Sequence, residues 1–106
     1  QVPNMDWISV APAADIPPGD YASAEVDGVF VAVFNVDGEF LAVEDVCTHD
    51  GGGLAGGELD GDQVICPRHG ARFCLRTGEA LTPPDYEAVR CFQTRVVDGR
   101  VEVREE

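Results

Sequence analysis

The stretch CPRHGARFC, residues 66–74, decides how this chain is read. The chain holds only two histidines, and one of them, His69, stands three places after Cys66. The other, His49, stands two places after Cys47 in CTHDGGG, residues 47–53. Each half therefore offers one thiol and one imidazole. Glycines follow both pairs, Gly51-Gly52-Gly53 and Gly70, and a glycine lets the backbone bend closely around a bulky group because it has no Cβ. Pro67 fixes φ between Cys66 and His69 and stiffens the second loop.

Either pair alone could be a buried cysteine beside an incidental histidine. Both pairs together, using every histidine of the chain, point to a metal centre. Zinc accepts two Cys and two His in a tetrahedron. Zinc fingers usually group like with like, however, and often carry their histidines on a helix. Here the ligand types alternate and the sequence predicts no helix. A two-iron, two-sulfide cluster with mixed ligation fits the alternation better, because two Cys can bind one iron and two His the other.

The surroundings read as β-structure. QVIC (63–66) and ARFCL (71–75) predict short strands on either side of the second pair. VFVAVF (29–34) and FLAV (40–43) are rich in β-branched and aromatic residues. Between them lies NVDGE, and Asp-Gly favours a tight hairpin turn. The same dipeptide recurs at Asp27-Gly28, Asp60-Gly61 and Asp98-Gly99, the last inside TRVVDGRVEV, which predicts a C-terminal hairpin. Only APAADIPPG suggests a helical turn, which Pro17-Pro18 would end. Many short strands with regular turns predict a small all-β sandwich or barrel.

The chain has 106 residues, enough for one modest core. Its net charge is −13, with twenty acids, seven arginines and no lysine. Residues 1–67 hold thirteen acids and no basic side chain other than histidine; residues 68–106 hold seven acids and all seven arginines. Nucleic acid is excluded as the expected partner, since phosphate binding needs a basic face. The acidic surface serves solubility or steers the chain toward a basic partner. No apolar run approaches the roughly 20 residues that span a bilayer, and the start carries no signal-peptide pattern. The expectation is a cytoplasmic monomer without a membrane partner, with Met5 as a candidate native start.

CTH, the sixteen-residue gap and CPRHGARF together resemble the Rieske iron–sulfur family, from about Val43 to Thr82. The resemblance implies a Rieske-type antiparallel β fold, residues 1–106, with an inserted cluster-binding subdomain of two ligand loops at about 43–83. It implies one [2Fe-2S] cluster per chain, with Cys47 and Cys66 on the inner iron and His49 and His69 on the outer iron. ALTPPDY (80–86) would match the proline-containing loop that shields the cluster. LRTGEAL resembles the family's D-x-x-TG stretch, with Cys74 where many relatives carry Asp. Cys74 and Cys91 are read as small apolar core residues.

High-potential respiratory members carry an extra cysteine in each ligand loop, and this chain has neither. Those members also place Ser and Tyr two and four residues after the second His, with hydroxyls that bond to sulfur. Here the positions are Ala71 and Phe73. Fewer donors stabilise the added electron less. The pattern resembles the low-potential ferredoxins of bacterial ring-hydroxylating oxygenase systems. It implies an electron carrier, not an enzyme, between a flavin-dependent ferredoxin reductase and a terminal oxygenase. Two alternatives stand beside it: the small Rieske subunit of an assimilatory nitrite reductase, and a zinc-bound interaction module.

Overall fold

The computed structural model describes residues 7–47, 52–67, 70–81 and 87–105. Nine strands run through them: β1 (Ile8–Pro12), β2 (Tyr21–Val26), β3 (Val29–Val36), β4 (Glu39–Glu44), β5 (Glu58–Asp60), β6 (Gln63–Ile65), β7 (Arg72–Cys74), β8 (Cys91–Val97) and β9 (Arg100–Glu105). One 3-10 turn, Ala13–Asp15, takes the place where a helical turn is expected. Among the described residues no helix is long and apolar enough to cross a membrane. The expected all-β class holds.

Six strands form one antiparallel sheet in the order β1-β9-β8-β4-β3-β2, and its two edges, β1 and β2, approach each other to make a nearly closed barrel. The other three, β5-β6-β7, form a small antiparallel sheet in the chain between β4 and β8. Closure by contact of the edges removes most of the exposed ladder that would invite aggregation.

From Val31 onward the apolar run VFVAVF is buried on both faces, while Phe30 before it stays exposed. Successive side chains of a strand point to opposite sides. Val31 and Val33 face the barrel interior with Val26, Ala42, Phe92 and Val101. Ala32, Phe34 and Val36 face the other way, into a second buried cluster shared with the small sheet. β3 is thus the wall common to both cores. Its neighbour β2 alternates instead: Tyr21, Ser23 and Glu25 are exposed while Val26 is buried. The sequence expectation does not extend to β1, β2 or β5, whose hydrophobic signals are weaker.

Three of the four Asp-Gly pairs form two-residue hairpin loops. Val26 pairs with Val29, Val36 with Glu39 and Val97 with Arg100. The intervening Asp27, Asp37 and Asp98 all take positive φ, as do the glycines after them, which is the primed turn that suits strand twist. The fourth pair is shifted by one residue. Asp60 is the last residue of β5 and pairs with Gln63, so the loop is Gly61-Asp62. Gly61 takes the first loop position at φ 62°. The Arg72 guanidinium, 2.8 Å from the Asp60 carboxylate, holds that side chain at the strand end.

Candidate metal centre

The first ligand loop leaves the barrel at the end of β4. Glu44 N–H donates to Arg90 O and Asp45 N–H donates to Phe30 O, both at 2.8 Å, so the departure point is held from two sides. Cys47 follows, and its N–H donates to Gly52 O. His49 falls between these two residues in sequence, in the segment 48–51 outside the described residues. The second loop leaves at the end of β6. Cys66 N–H donates to Ala71 O at 2.7 Å, and Gly70 N–H donates back to Cys66 O at 3.0 Å. Gly70 sits at φ 72°, where side chains are strained. His69 again falls between, and residues 68–69 also lie outside the described residues. The loop expected to shield the cluster is described only at Ala80 and Leu81, since 82–86 lie outside as well.

Both loops are therefore closed at the neck by a main-chain bond made by the cysteine itself. Both cysteines are buried, at 0% and 1% exposure, in one apolar cluster with Leu54, Val64, Phe73 and Leu75. The structure brings together Cys47 and Cys66. It does not describe where His49 and His69 stand.

The donor set fits an iron–sulfur group. Two sulfur donors sit at loop necks in a water-excluding apolar shell, a setting that favours a soft metal over a hard one. The shell also contains the two positions where a hydroxyl would matter. Ala71 is 6% exposed and Phe73 fully buried, and neither side chain can donate a hydrogen bond.

Cys91 packs against the apolar core as expected, whereas Cys74 departs from that role. Both are only half-buried, and Cys74 is not disulfide-bonded. A hydrogen bond with the Thr77 side chain, supported by backbone bonds from Arg76 and Thr77, holds the Cys74 thiol below the ordinary range, against desolvation and the charge of Asp62. Cys74 ends β7 and opens the turn that follows: its carbonyl accepts Gly78 N–H at 2.7 Å. The thiol bonds to Thr77 from the place where many family members carry an Asp.

Sequence reasoning missed Asp45. Its Oδ1 accepts Leu54 N–H at 2.6 Å and Ala55 N–H at 2.9 Å, which ties the entrance of the first loop to its exit. A lone Asp two places before a cysteine has no spacing that marks it. It also missed Arg76, which bridges the two sheets through Glu39 and Asp62.

Comparison with known proteins agrees with this construction. The Rieske [2Fe-2S] domain matches residues 6–93. The chain belongs to the Rieske [2Fe-2S] family and carries that cluster. Among its relatives it is 41% identical to the biphenyl dioxygenase ferredoxin subunit of Pseudomonas sp. strain KKS102, over 91% of this chain and 88% of that one. It is 34% identical to the ferredoxin component of the naphthalene 1,2-dioxygenase/salicylate 5-hydroxylase systems of a Ralstonia species, over 97% and 99%. In structure it is similar to a chain in the complex of reduced oxygenase and oxidized ferredoxin of carbazole 1,9a-dioxygenase, with TM-score 0.87, 36% identity and coverage of 97% and 96%. A nitrite reductase small subunit from Mycobacterium tuberculosis is less similar, with TM-score 0.83, 27% identity and coverage of 94% and 95%.

Proposed function

We propose that this chain is the ferredoxin of a ring-hydroxylating oxygenase system: it takes one electron from a flavin-dependent reductase and delivers it to a terminal oxygenase. The observation that carries the reading is the pair of cysteine-closed loop necks, buried in one apolar cluster, with one histidine in each loop sequence. Cys47 and Cys66 would hold one iron, His49 and His69 the other, within a cluster-binding subdomain at about 43–83 of a single domain. A bound cluster of this type accepts and releases one electron.

The chain's own residues set the conditions. Leu54, Val64 and Leu75 exclude water from the cysteine side. Ala71 and Phe73 withhold hydroxyl donors, so the reduced state gains less stabilisation. No catalytic residue is assigned to the chain. We place the chain in the cytoplasm, as a monomer. Its acidic surface steers it toward basic docking faces on the reductase and oxygenase.

The test is stopped-flow electron transfer from a flavin reductase to this chain, and from this chain to a ring-hydroxylating oxygenase, across a salt series. The expected result is transfer in both steps, with an association rate that falls as salt rises, since screening shortens charge reach to about 10 Å at 0.1 M. Transfer to neither partner, with co-purification of a sirohaem subunit, would favour the nitrite reductase reading. A colourless protein with stoichiometric zinc would favour the interaction module.

A further inference from the structure

We propose that Asp45 is the positioning residue of the first ligand loop, a latch that holds the loop closed around the cluster and places one fixed negative charge beside it. The inference rests on the reading above that this loop supplies Cys47 and His49.

The geometry divides Asp45 into an anchored backbone and a reaching side chain. Its N–H is fixed to Phe30 O at 2.8 Å, at the rim of the barrel. Its Oδ1 crosses to the returning chain and accepts two consecutive N–H groups, Leu54 at 2.6 Å and Ala55 at 2.9 Å. The segment 45–55 is thus closed twice, once by the Cys47–Gly52 main-chain bond and once by the carboxylate. The latch is close-fitting. A Cβ at Gly53 would stand 3.0 Å from Asp45 Oδ1 and 3.3 Å from its Cγ, so a methyl there would press on the carboxylate and push it by a few tenths of an ångström.

Among the described residues, Asp45 Oδ1 is the acceptor for Leu54 N–H. Leu54 is 0% exposed, so its N–H depends on this acceptor while the loop is closed. An orphaned buried donor carries a large cost, and a charge-assisted bond is stronger than a neutral one. The strain falls two residues from Cys47, on the segment that must keep a sulfur and an imidazole aligned. Asparagine at this position would keep an acceptor oxygen and lose the charge, which separates the two roles. The charge disfavours the reduced cluster, because reduction adds a negative charge nearby.

The experiment compares wild type, Asp45→Asn, Asp45→Ala and Gly53→Ala as iron-loaded proteins, reading the rate of iron loss to a chelator and the midpoint potential. Asp45→Ala should lose iron at least about tenfold faster than wild type. Asp45→Asn should stay within about threefold of the wild-type rate, yet show a higher potential. Loss from Asp45→Ala at the wild-type rate would overturn the latch, and so would loss from Asp45→Asn as fast as from Asp45→Ala. An unchanged potential in Asp45→Asn would overturn the charge role. If Asp45→Ala does not fold, Gly53→Ala decides: faster iron loss supports the latch, and the wild-type rate overturns it. Cys47→Ala serves as the control on the underlying reading. Full iron retention in that variant would remove the ligand assignment itself, whatever the Asp45 variants do.

Discussion

Arg76 holds Glu39 with both arms of its guanidinium, Nη1 on Oε2 and Nη2 on Oε1, each at 2.8 Å. Its Nε meanwhile stands 3.2 Å from Asp62 Oδ2. Glu39 begins β4 in the barrel, and Asp62 lies in the turn of the small sheet. One side chain therefore braces the two layers at their edge, in the open.

The hydrogen bonds from Arg76 hold the Glu39 carboxyl below its ordinary value, against desolvation and with a lesser contribution from the Arg76 charge. A folded value below the unfolded one stabilises fully above the unfolded value, near 4.5. That contribution is lost as pH falls through the lowered folded value. In Arg76→Ala, an NMR titration should find Glu39 back near its ordinary value. Urea melts of the variant should then lose less stability than wild type on going from neutral pH into the acid range. The difference should shrink in high salt, since the pair is exposed. A Glu39 titration unmoved by the substitution would contradict the brace.

Gly78 makes the second prediction. It takes φ 80°, and a Cβ there would collide with Val89 O and approach Cys91 Sγ to 3.2 Å. Gly38 also takes positive φ, at 94°, but a Cβ there meets nothing within 4 Å. Gly78→Ala should destabilise by about 2–4 kcal/mol, overlap and backbone strain together. Gly38→Ala should cost only about 1 kcal/mol, from the backbone alone. Denaturant melts distinguish the two, and equal costs would contradict the close approach of Gly78 to Val89, in the segment that leads into β8.

The potential is the third. Rieske centres span about −150 to +300 mV, and this one should lie at roughly −150 to −100 mV. Ala71→Ser and Phe73→Tyr place hydroxyls at the two buried positions that lack them. Each should raise the potential, by about 59 mV for every tenfold gain in stabilisation of the reduced over the oxidised state. Phe73 is fully buried, so its variant should also lose about 1–3 kcal/mol of stability to overpacking. A voltammogram above about +100 mV for wild type would contradict the low-potential assignment. Low values in all three proteins would leave that assignment standing and reject the hydroxyl account.

The parts of the molecule that could be read from sequence are those with a local signal. VFVAVF announces a strand through its β-branched and aromatic composition, and Asp27-Gly28 announces a turn through the φ that only a few residues accept. Asp60-Gly61 carries the same signal, but Asp60 pairs with Gln63 as the last residue of β5, so the loop falls one residue later, at Gly61-Asp62. β2 is illegible for a different reason: YASAEV is mostly small and polar, and its pairing with β3 supplies what its composition does not. The cysteine and histidine pairs stand out because the chain has so few alternatives. Asp45 and Arg76 do not, since their partners lie nine, ten and thirty-seven residues away and one more acid or arginine is unremarked in a chain this charged.

The scarcity of histidine also gives the most direct test of the ligand set. Protein grown on 15N-histidine is labelled only at His49 and His69, because the chain holds no other histidine. The measurement is electron–nuclear double resonance on the reduced, labelled protein. The account predicts two strongly coupled 15N nuclei, one from each imidazole, bound at the cluster. A spectrum with one such nucleus, or with none, would contradict it.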